Sequence, residues 1–137
     1  MTALIAEGLF RVDDDRAVLF GSKRRSTGAV RFPAERPELF DDTDDIVPIE
    51  LSTQGTLFTF TTQEFVPPLP YKGDRSPQGF KPYVVGYIEL PEGILVESLI
   101  VGVDASHLRI GQPMASTTTT LVTTDGQSLV TFAFTPA

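Results

Sequence analysis

Residues 55–65 read GTLFTFTTQEF and residues 82–90 read PYVVGYIEL, and these two stretches decide the fold. Both are rich in Phe, Tyr, Val, Ile and Thr, the residue types that suit a pleated, half-buried surface. Side chains alternate between the two faces of a strand, so Phe58 and Phe60 are expected to share one face of the first stretch. We therefore predict two long β-strands here.

The segment between these strands is long and contains prolines that cannot donate to a strand ladder: Pro67, Pro68, Pro70 and Pro77. Loops of this length in a compact domain are uncommon, and they usually bind something or are disordered. Tyr71 and Phe80 on the segment, with Pro82 and Tyr83 after it, are predicted to form an aromatic lip for a ligand or a partner. The alternative is that Phe80 and Tyr83 simply cover the end of a barrel.

Three further strands are predicted at residues 94–103, 113–123 and 129–134. Between the third and fourth, Asp104 suits an N-cap and Gly111 suits the end of a single helical turn. Asp125 and Gly126 form a hairpin signal before the last strand. Strand, strand, strand, short helix, strand, strand is the order of a five-stranded OB barrel, in which the helix plugs one end. A small β-sandwich is the alternative on pattern alone.

The protein is thus predicted to be all-β, with an OB-fold domain over residues 46–137 and a separate segment over residues 1–45. The separate segment is expected to contain a β-hairpin with an acidic turn at Asp13, Asp14 and Asp15. Residues 37–45 read PELFDDTDD and are interpreted as a solvated acidic linker. They lack the spacing of ligands that a calcium loop requires.

The composition restricts the class of protein. A length of 137 residues suits one domain, and eleven Pro with eleven Gly favour strands and turns. The sequence contains no cysteine, which excludes disulfides and thiolate metal sites. No apolar run reaches the roughly 18 residues of a membrane span, and Glu7 interrupts the apolar N-terminus early. We expect a cytoplasmic protein without a membrane partner.

The charge is polarised along the chain. The first 36 residues carry a net charge of +2, whereas residues 37–137 carry −9, within a total of −7. The acidic balance of the barrel argues against a nucleic-acid partner, because binding to the phosphate backbone needs a basic surface. The cluster of Lys23, Arg24 and Arg25, with Arg31 nearby, is predicted to meet a phosphate-bearing ligand or an acidic partner. The alternative is a solvated turn.

Residues for catalysis are scarce. His107 is the single histidine, and the sequence contains no nucleophile elbow, P-loop or zinc-protease motif. The carboxylates lie mostly in predicted turns, where solvation is their expected role. We therefore predict no catalytic residue and no activity for the chain on its own. An independent hydrolase or thioesterase that uses carboxylates is the alternative.

Several motifs resemble a family in which a rubredoxin-like zinc ribbon precedes an OB-fold and which is associated with acyl-CoA enzymes. They lie in the family's order and span nearly the whole chain: LFGSKRRSTGAVRFP at 19–33, GTLFTFT at 55–61, FKPYVVGYIELPEG at 80–93, HLRIGQPM at 107–114 and DGQSLVTFAFTP at 125–136.

The resemblance implies a zinc site that this chain has lost. The family's first cysteine pair falls at Arg24 and Thr27, before Gly28, and the second pair falls within residues 37–40, where no cysteine stands. A structural zinc contributes much of the folding free energy of a small ribbon. The degenerate, metal-free hairpin is therefore expected to depend on packing, against either the barrel or another chain.

The resemblance also implies a function. Members are accessory subunits of thiolase-like enzymes and of steroid side-chain aldolases, in which the partner carries the catalytic residues. The reactions are thiolysis, acyl transfer or retro-aldol cleavage of acyl-CoA thioesters. The resemblance thus implies a thiolase-like partner, no cofactor of the chain's own, and a CoA thioester that reaches the chain through the complex. Contacts to a CoA phosphate or to the partner would come from Lys23, Arg24, Arg25 and Arg31.

Overall fold

The computed structural model describes residues 3–4, 8–40, 45–64, 81–123 and 125–137. Within them the secondary structure is ten strands and two 3₁₀ turns. No helix in this part is long and apolar enough to cross a membrane. The strands are β1 (Ala3–Leu4), β2 (Phe10–Asp13), β3 (Arg16–Arg24), β4 (Val30–Arg31), β5 (Ile46–Glu50), β6 (Gln54–Gln63), β7 (Tyr83–Glu89), β8 (Leu95–Ile100), β9 (Pro113–Val122) and β10 (Ser128–Pro136).

Strands β6 to β10 close into a five-stranded barrel. β6 pairs with β7 and β7 with β8, both antiparallel, and β8 pairs with β10 in parallel at Ile100 and Phe134. β10 then pairs antiparallel with β9, and β9 returns to β6. This closed order is that of an OB-fold rather than of a two-sheet sandwich. The predicted fold class and all five predicted barrel strands are confirmed.

The single helical turn expected between the third and fourth barrel strands is present as a 3₁₀ turn, Ala105–His107. Asp104 occupies the N-cap position, but its side chain makes no capping hydrogen bond. The residue after the turn, Leu108, is 7% exposed and belongs to the hydrophobic core. The expected single turn is therefore present, and the leucine that follows it packs into the core.

A β-bulge interrupts β6. Leu57 lies opposite Ile88 and Thr59 lies opposite Tyr87, so Phe58 is an extra residue without a partner in the register. The inserted residue shifts the alternation of side chains between the two faces. The prediction that Phe58 and Phe60 share a face is therefore wrong: Phe58 is 51% exposed, whereas Phe60 packs against the core.

The N-terminal residues form a second, four-stranded sheet around β3. β2 and β3 make the predicted hairpin, with the acidic turn between Asp13 and Arg16. β3 also pairs with β4 and, from Phe20 to Arg24, with β5. Ile46–Glu50 thus pairs with the N-terminal sheet, although it lies within the range predicted for the barrel. The boundary at residue 45 and the likeness of this sheet to a rubredoxin-type ribbon remain predictions.

The two sheets share one hydrophobic core. Phe10, Ala17 and Leu19 from the N-terminal sheet belong to the same buried cluster as Phe134 of the barrel. Phe132 on β10 forms T-shaped ring contacts with Phe10, at a centroid distance of 5.8 Å, and with Phe32, at 5.7 Å. The N-terminal sheet is thus packed on the barrel, which is the first of the two alternatives expected for a ribbon without zinc.

Candidate functional site

The four predicted basic residues do not form one cluster. Lys23 and Arg24 lie in β3, Arg25 follows β3, and Arg31 lies in β4. Ser22 is opposite Arg31 in the antiparallel register, so Arg31 shares a face with Ser22 and Arg24. Lys23 projects from the other face. Lys23, Arg25 and Arg31 are exposed, whereas Arg24 is half-buried.

Arg24 is engaged by carboxylates of its own chain. Its guanidinium donates to Glu35 from Nη2 at 2.7 Å and from Nε at 3.0 Å, and Nη1 lies 3.5 Å from Asp45. The hydrogen bond from Arg24 lowers the pKa of Glu35, and hydrogen bonds from Ser26 lower the pKa of Asp45. The Glu35 backbone N–H donates to Ser22 Oγ at 2.7 Å. We call Arg24, Glu35 and Asp45 the arginine clamp. The role of the basic residues toward CoA or a partner stays a prediction.

Arg24 and Thr27 do not fit a zinc ion. A guanidinium is a donor only and cannot coordinate a cation, and Thr27 Oγ1 accepts a hydrogen bond from the Ala29 N–H at 3.2 Å. Among the residues that the structure describes, no group of three or more His, Cys, Asp or Glu side chains could hold a metal ion. His107 is exposed in the 3₁₀ turn.

The predicted aromatic lip is described only at its end. Tyr71 and Phe80 lie outside the described residues. Pro82 is exposed, and Tyr83 is half-buried at the start of β7. The lip therefore stays a prediction.

The structure reveals instead a candidate surface that the sequence analysis missed. Ile88 and Val96 point into the barrel, so their neighbours along β7 and β8 point outward. Six large hydrophobic side chains are exposed in the described part of the chain, and four of them lie on β6, β7, β8 or on the turn bonded to β6. We call these four the outer barrel face: Phe58 (51% exposed), Tyr87 (41%), Leu95 (43%) and Ile110 (68%).

Two residues of the outer barrel face, Phe58 and Ile110, lie at the bulge of β6 and on the turn before β9. The Leu57 N–H donates to the Gln112 carbonyl at 3.0 Å, and the Gly111 N–H donates to the Leu57 carbonyl at 2.8 Å. These bonds fix the turn that carries Ile110 against the strand that carries Phe58. Alternation along β7 indicates that Tyr87 points outward. The bulge in β6, in contrast, cannot be predicted from a local sequence pattern.

A depression of about 210 Å³ opens on the same side of the barrel. Its floor includes Gly86, where a Cβ atom would come within 2.6 Å of Ile100 Cδ1 and 2.7 Å of the Thr59 carbonyl. Tyr87 Oη donates to Glu97 Oε2 at 3.2 Å beside it. The lining residues are Thr59, Phe60, Thr61, Val85, Gly86, Tyr87 and Glu97.

The three strands under this face contain no Lys or Arg, and their acidic side chains are Glu89 and Glu97 alone. Neither carboxylate forms an ion pair with the described residues. A surface of this kind lacks the cations that bind a phosphate backbone. It suits an apolar partner surface instead.

Barrel and N-terminal sheet together define an OB-fold protein with an exposed apolar face. The chain belongs to the family of the ChsH2 C-terminal OB-fold domain, whose model matches residues 48–119. Among solved structures it is similar to one described as "Ltp2-ChsH2(DUF35) aldolase", with 20% sequence identity and a TM-score of 0.60, over 91% of this chain and 96% of that chain. At this identity the likeness shows the fold. No protein of curated function matches the sequence.

Proposed function

We propose that this chain is a non-catalytic, cytoplasmic accessory subunit that docks on a thiolase-superfamily partner and helps to shape its acyl-CoA site or channel. The partner would carry out retro-aldol cleavage, thiolysis or acyl transfer on an acyl-CoA thioester, for example in steroid side-chain degradation. Membership of the ChsH2 OB-fold family supports the proposal, as does the likeness to a structure whose name combines Ltp2 and ChsH2 in an aldolase.

The observation that carries the proposal is the exposed apolar face of the barrel, formed by Phe58, Tyr87, Leu95 and Ile110. In the arginine clamp, Arg24 pairs with Glu35 and Asp45 of its own chain, so these charged groups have a structural role. Phe58 is 51% exposed and Ile110 is 68% exposed, on segments joined by backbone hydrogen bonds. Exposed apolar surface of this kind marks an interaction site.

Three of the four predicted basic residues, Lys23, Arg25 and Arg31, stay exposed, and we propose them as contacts for a CoA phosphate or for the partner. Arg24 would act by holding the turn between them. The aromatic lip of Tyr71, Phe80, Pro82 and Tyr83 is proposed to border the acyl-CoA path.

Co-expression tests the proposal directly. The chain is produced with a candidate thiolase-superfamily protein of the same organism, and the pair is passed through affinity and size-exclusion columns. We expect a stable complex that cleaves an acyl-CoA substrate, with no turnover by the isolated chain. A monodisperse monomer that does not co-purify would contradict the proposal, and acyl-CoA hydrolysis by the isolated chain would favour an independent thioesterase.

A further inference from the structure

We infer that the outer barrel face is the surface on which this chain docks its protein partner, and that the partner offers an apolar patch with a Lys or Arg side chain opposite Glu97. The inference rests on the proposed function and names the contact surface within it.

The positions of the exposed hydrophobic side chains support this docking surface. Backbone hydrogen bonds between Leu57 and residues Gly111 and Gln112 join the segments that carry Phe58 and Ile110. Tyr87 is opposite Thr59, the residue after the bulge, and so continues the same side of the barrel. Interface centres are enriched in aromatic residues, and bulges recur where a side chain must be aimed at a functional site. The fold itself does not need Phe58 to be exposed.

The carboxylate of Glu97 indicates that the partner carries a cation. Tyr87 Oη donates to one of its oxygens at 3.2 Å, so the carboxylate lies beside an aromatic member of the outer barrel face. Docking would take this charge out of water, which is costly unless an opposite charge meets it. Lys81, two residues before β7, and Arg109, next to Ile110, are the described cations nearest to these strands in sequence, and neither forms an ion pair with Glu97. The partner must therefore provide the cation.

The same charges argue against two other occupants. In a two-fold symmetric contact between copies of this chain, the same patch occurs on both sides. Glu89 and Glu97 would then meet a surface that carries the same carboxylates and no cation on its three strands. Single-stranded nucleic acid would bring phosphates to those carboxylates. Both contacts would be repulsive.

The experiment uses the full chain, co-expressed with the same candidate thiolase-superfamily protein. Phe58→Arg and Leu95→Arg place a cation on the outer barrel face. Val12→Arg and Val122→Arg are the matched controls, since these valines are 47% and 52% exposed but lie on β2 and at the end of β9. We expect each face variant to weaken the complex by about tenfold or more, and both controls to bind like the wild type. Thermal melts of every isolated variant check that it is folded.

Glu97 gives a separate measurement. Glu97→Lys should weaken the complex, and more strongly at low ionic strength than at high ionic strength, because it sets two cations against each other. Glu38→Lys, on the N-terminal sheet side, is the matched charge reversal and should leave binding unchanged.

The results separate this inference from the proposed function. If the wild-type chain does not bind the partner, the proposed function fails. If the wild type binds and the face variants bind equally well, the function stands and the docking surface lies elsewhere. Concentration-dependent self-association of the isolated chain that is lost in the face variants would assign the face to a second copy. A salt-sensitive shift of a fluorescein-labelled oligothymidylate, lost in the same variants, would assign it to nucleic acid.

Discussion

The Arg24 guanidinium meets the Glu35 carboxylate through two nitrogen atoms, with Nη2 2.7 Å from Oε1 and Nε 3.0 Å from Oε2. A third nitrogen reaches Asp45, immediately before β5. The clamp therefore ties the end of β3 to two segments that are distant from it in sequence. Arg24 stands where the resemblance to the zinc-ribbon family implies a cysteine, and its ion pairs with Glu35 and Asp45 join these segments.

The clamp should make the stability of the N-terminal sheet sensitive to acid. The pKa of Glu35 is lowered by its hydrogen bond from Arg24, so the carboxylate stabilises the fold above its usual pKa. That stability is lost as the pH falls through the lowered pKa. We expect Glu35→Gln to melt a few degrees below the wild type near neutral pH, and the difference to shrink as the pH falls below the usual pKa of a glutamate. Circular dichroism melts across this range would measure it.

Glu38→Gln is the matched control for that experiment. Glu38 is 3.6 Å from Arg36, and both side chains are more than half exposed. Exposed ion pairs contribute little to stability, so this variant should melt like the wild type at every pH. An equal loss in the two variants would show that the clamp has no special role.

Chelation should leave the fold unchanged. The chain has no cysteine, and Arg24 offers only hydrogen-bond donors at the first ligand position of the family's zinc site. We expect the same melting temperature with excess zinc, with EDTA and with neither. A fall on adding EDTA, restored by zinc, would place a metal in the protein and overturn this prediction.

Phe132 should be costly to remove although it is only partly buried. It packs against the rings of Phe10 and Phe32 and joins the two sheets. We expect Phe132→Ala to lower the free energy of unfolding by about 3 kcal/mol in urea denaturation, at the lower end of the cost of Phe→Ala in a core. Phe58→Ala removes the same ring from the outer barrel face and should cost less than about 0.5 kcal/mol.

Gly86 should not tolerate a side chain. A Cβ there would lie 2.6 Å from Ile100 Cδ1 and 2.7 Å from the Thr59 carbonyl. We expect Gly86→Ala to cost about 1–3 kcal/mol of stability through overpacking, measured by the same urea denaturation. Thr61→Ala, on the neighbouring strand and exposed, is the control. Equal stability of Gly86→Ala and the wild type would mean that β7 shifts freely against β6.

The barrel could be predicted from sequence because its signals are local. Alternating apolar residues mark each strand, and Asp125 and Gly126 mark the last hairpin. The pairing of β5 with β3 could not be predicted, because Ile46–Glu50 carries the same alternation as a strand of the barrel. Which sheet accepts such a strand depends on contacts far away in sequence.

The site was less predictable than the fold. In the sequence, Arg24 is one of several cations in a basic run. Its pairing with Glu35 and Asp45 appears only in the folded chain. The outer barrel face depends on one inserted residue, and an inserted residue leaves no trace in a short alternating pattern. Alternation alone therefore pairs Phe58 with Phe60.

The bulge at Phe58 also matters for comparing this chain with its relatives. A relative that is one residue shorter between Leu57 and Thr59 would have a regular strand, with its core residues in place and no outward aromatic ring there. A gap in a sequence alignment should therefore be opened at Phe58 itself. If it is opened a few positions away, the side chains between that position and Phe58 are assigned to the opposite side of the barrel.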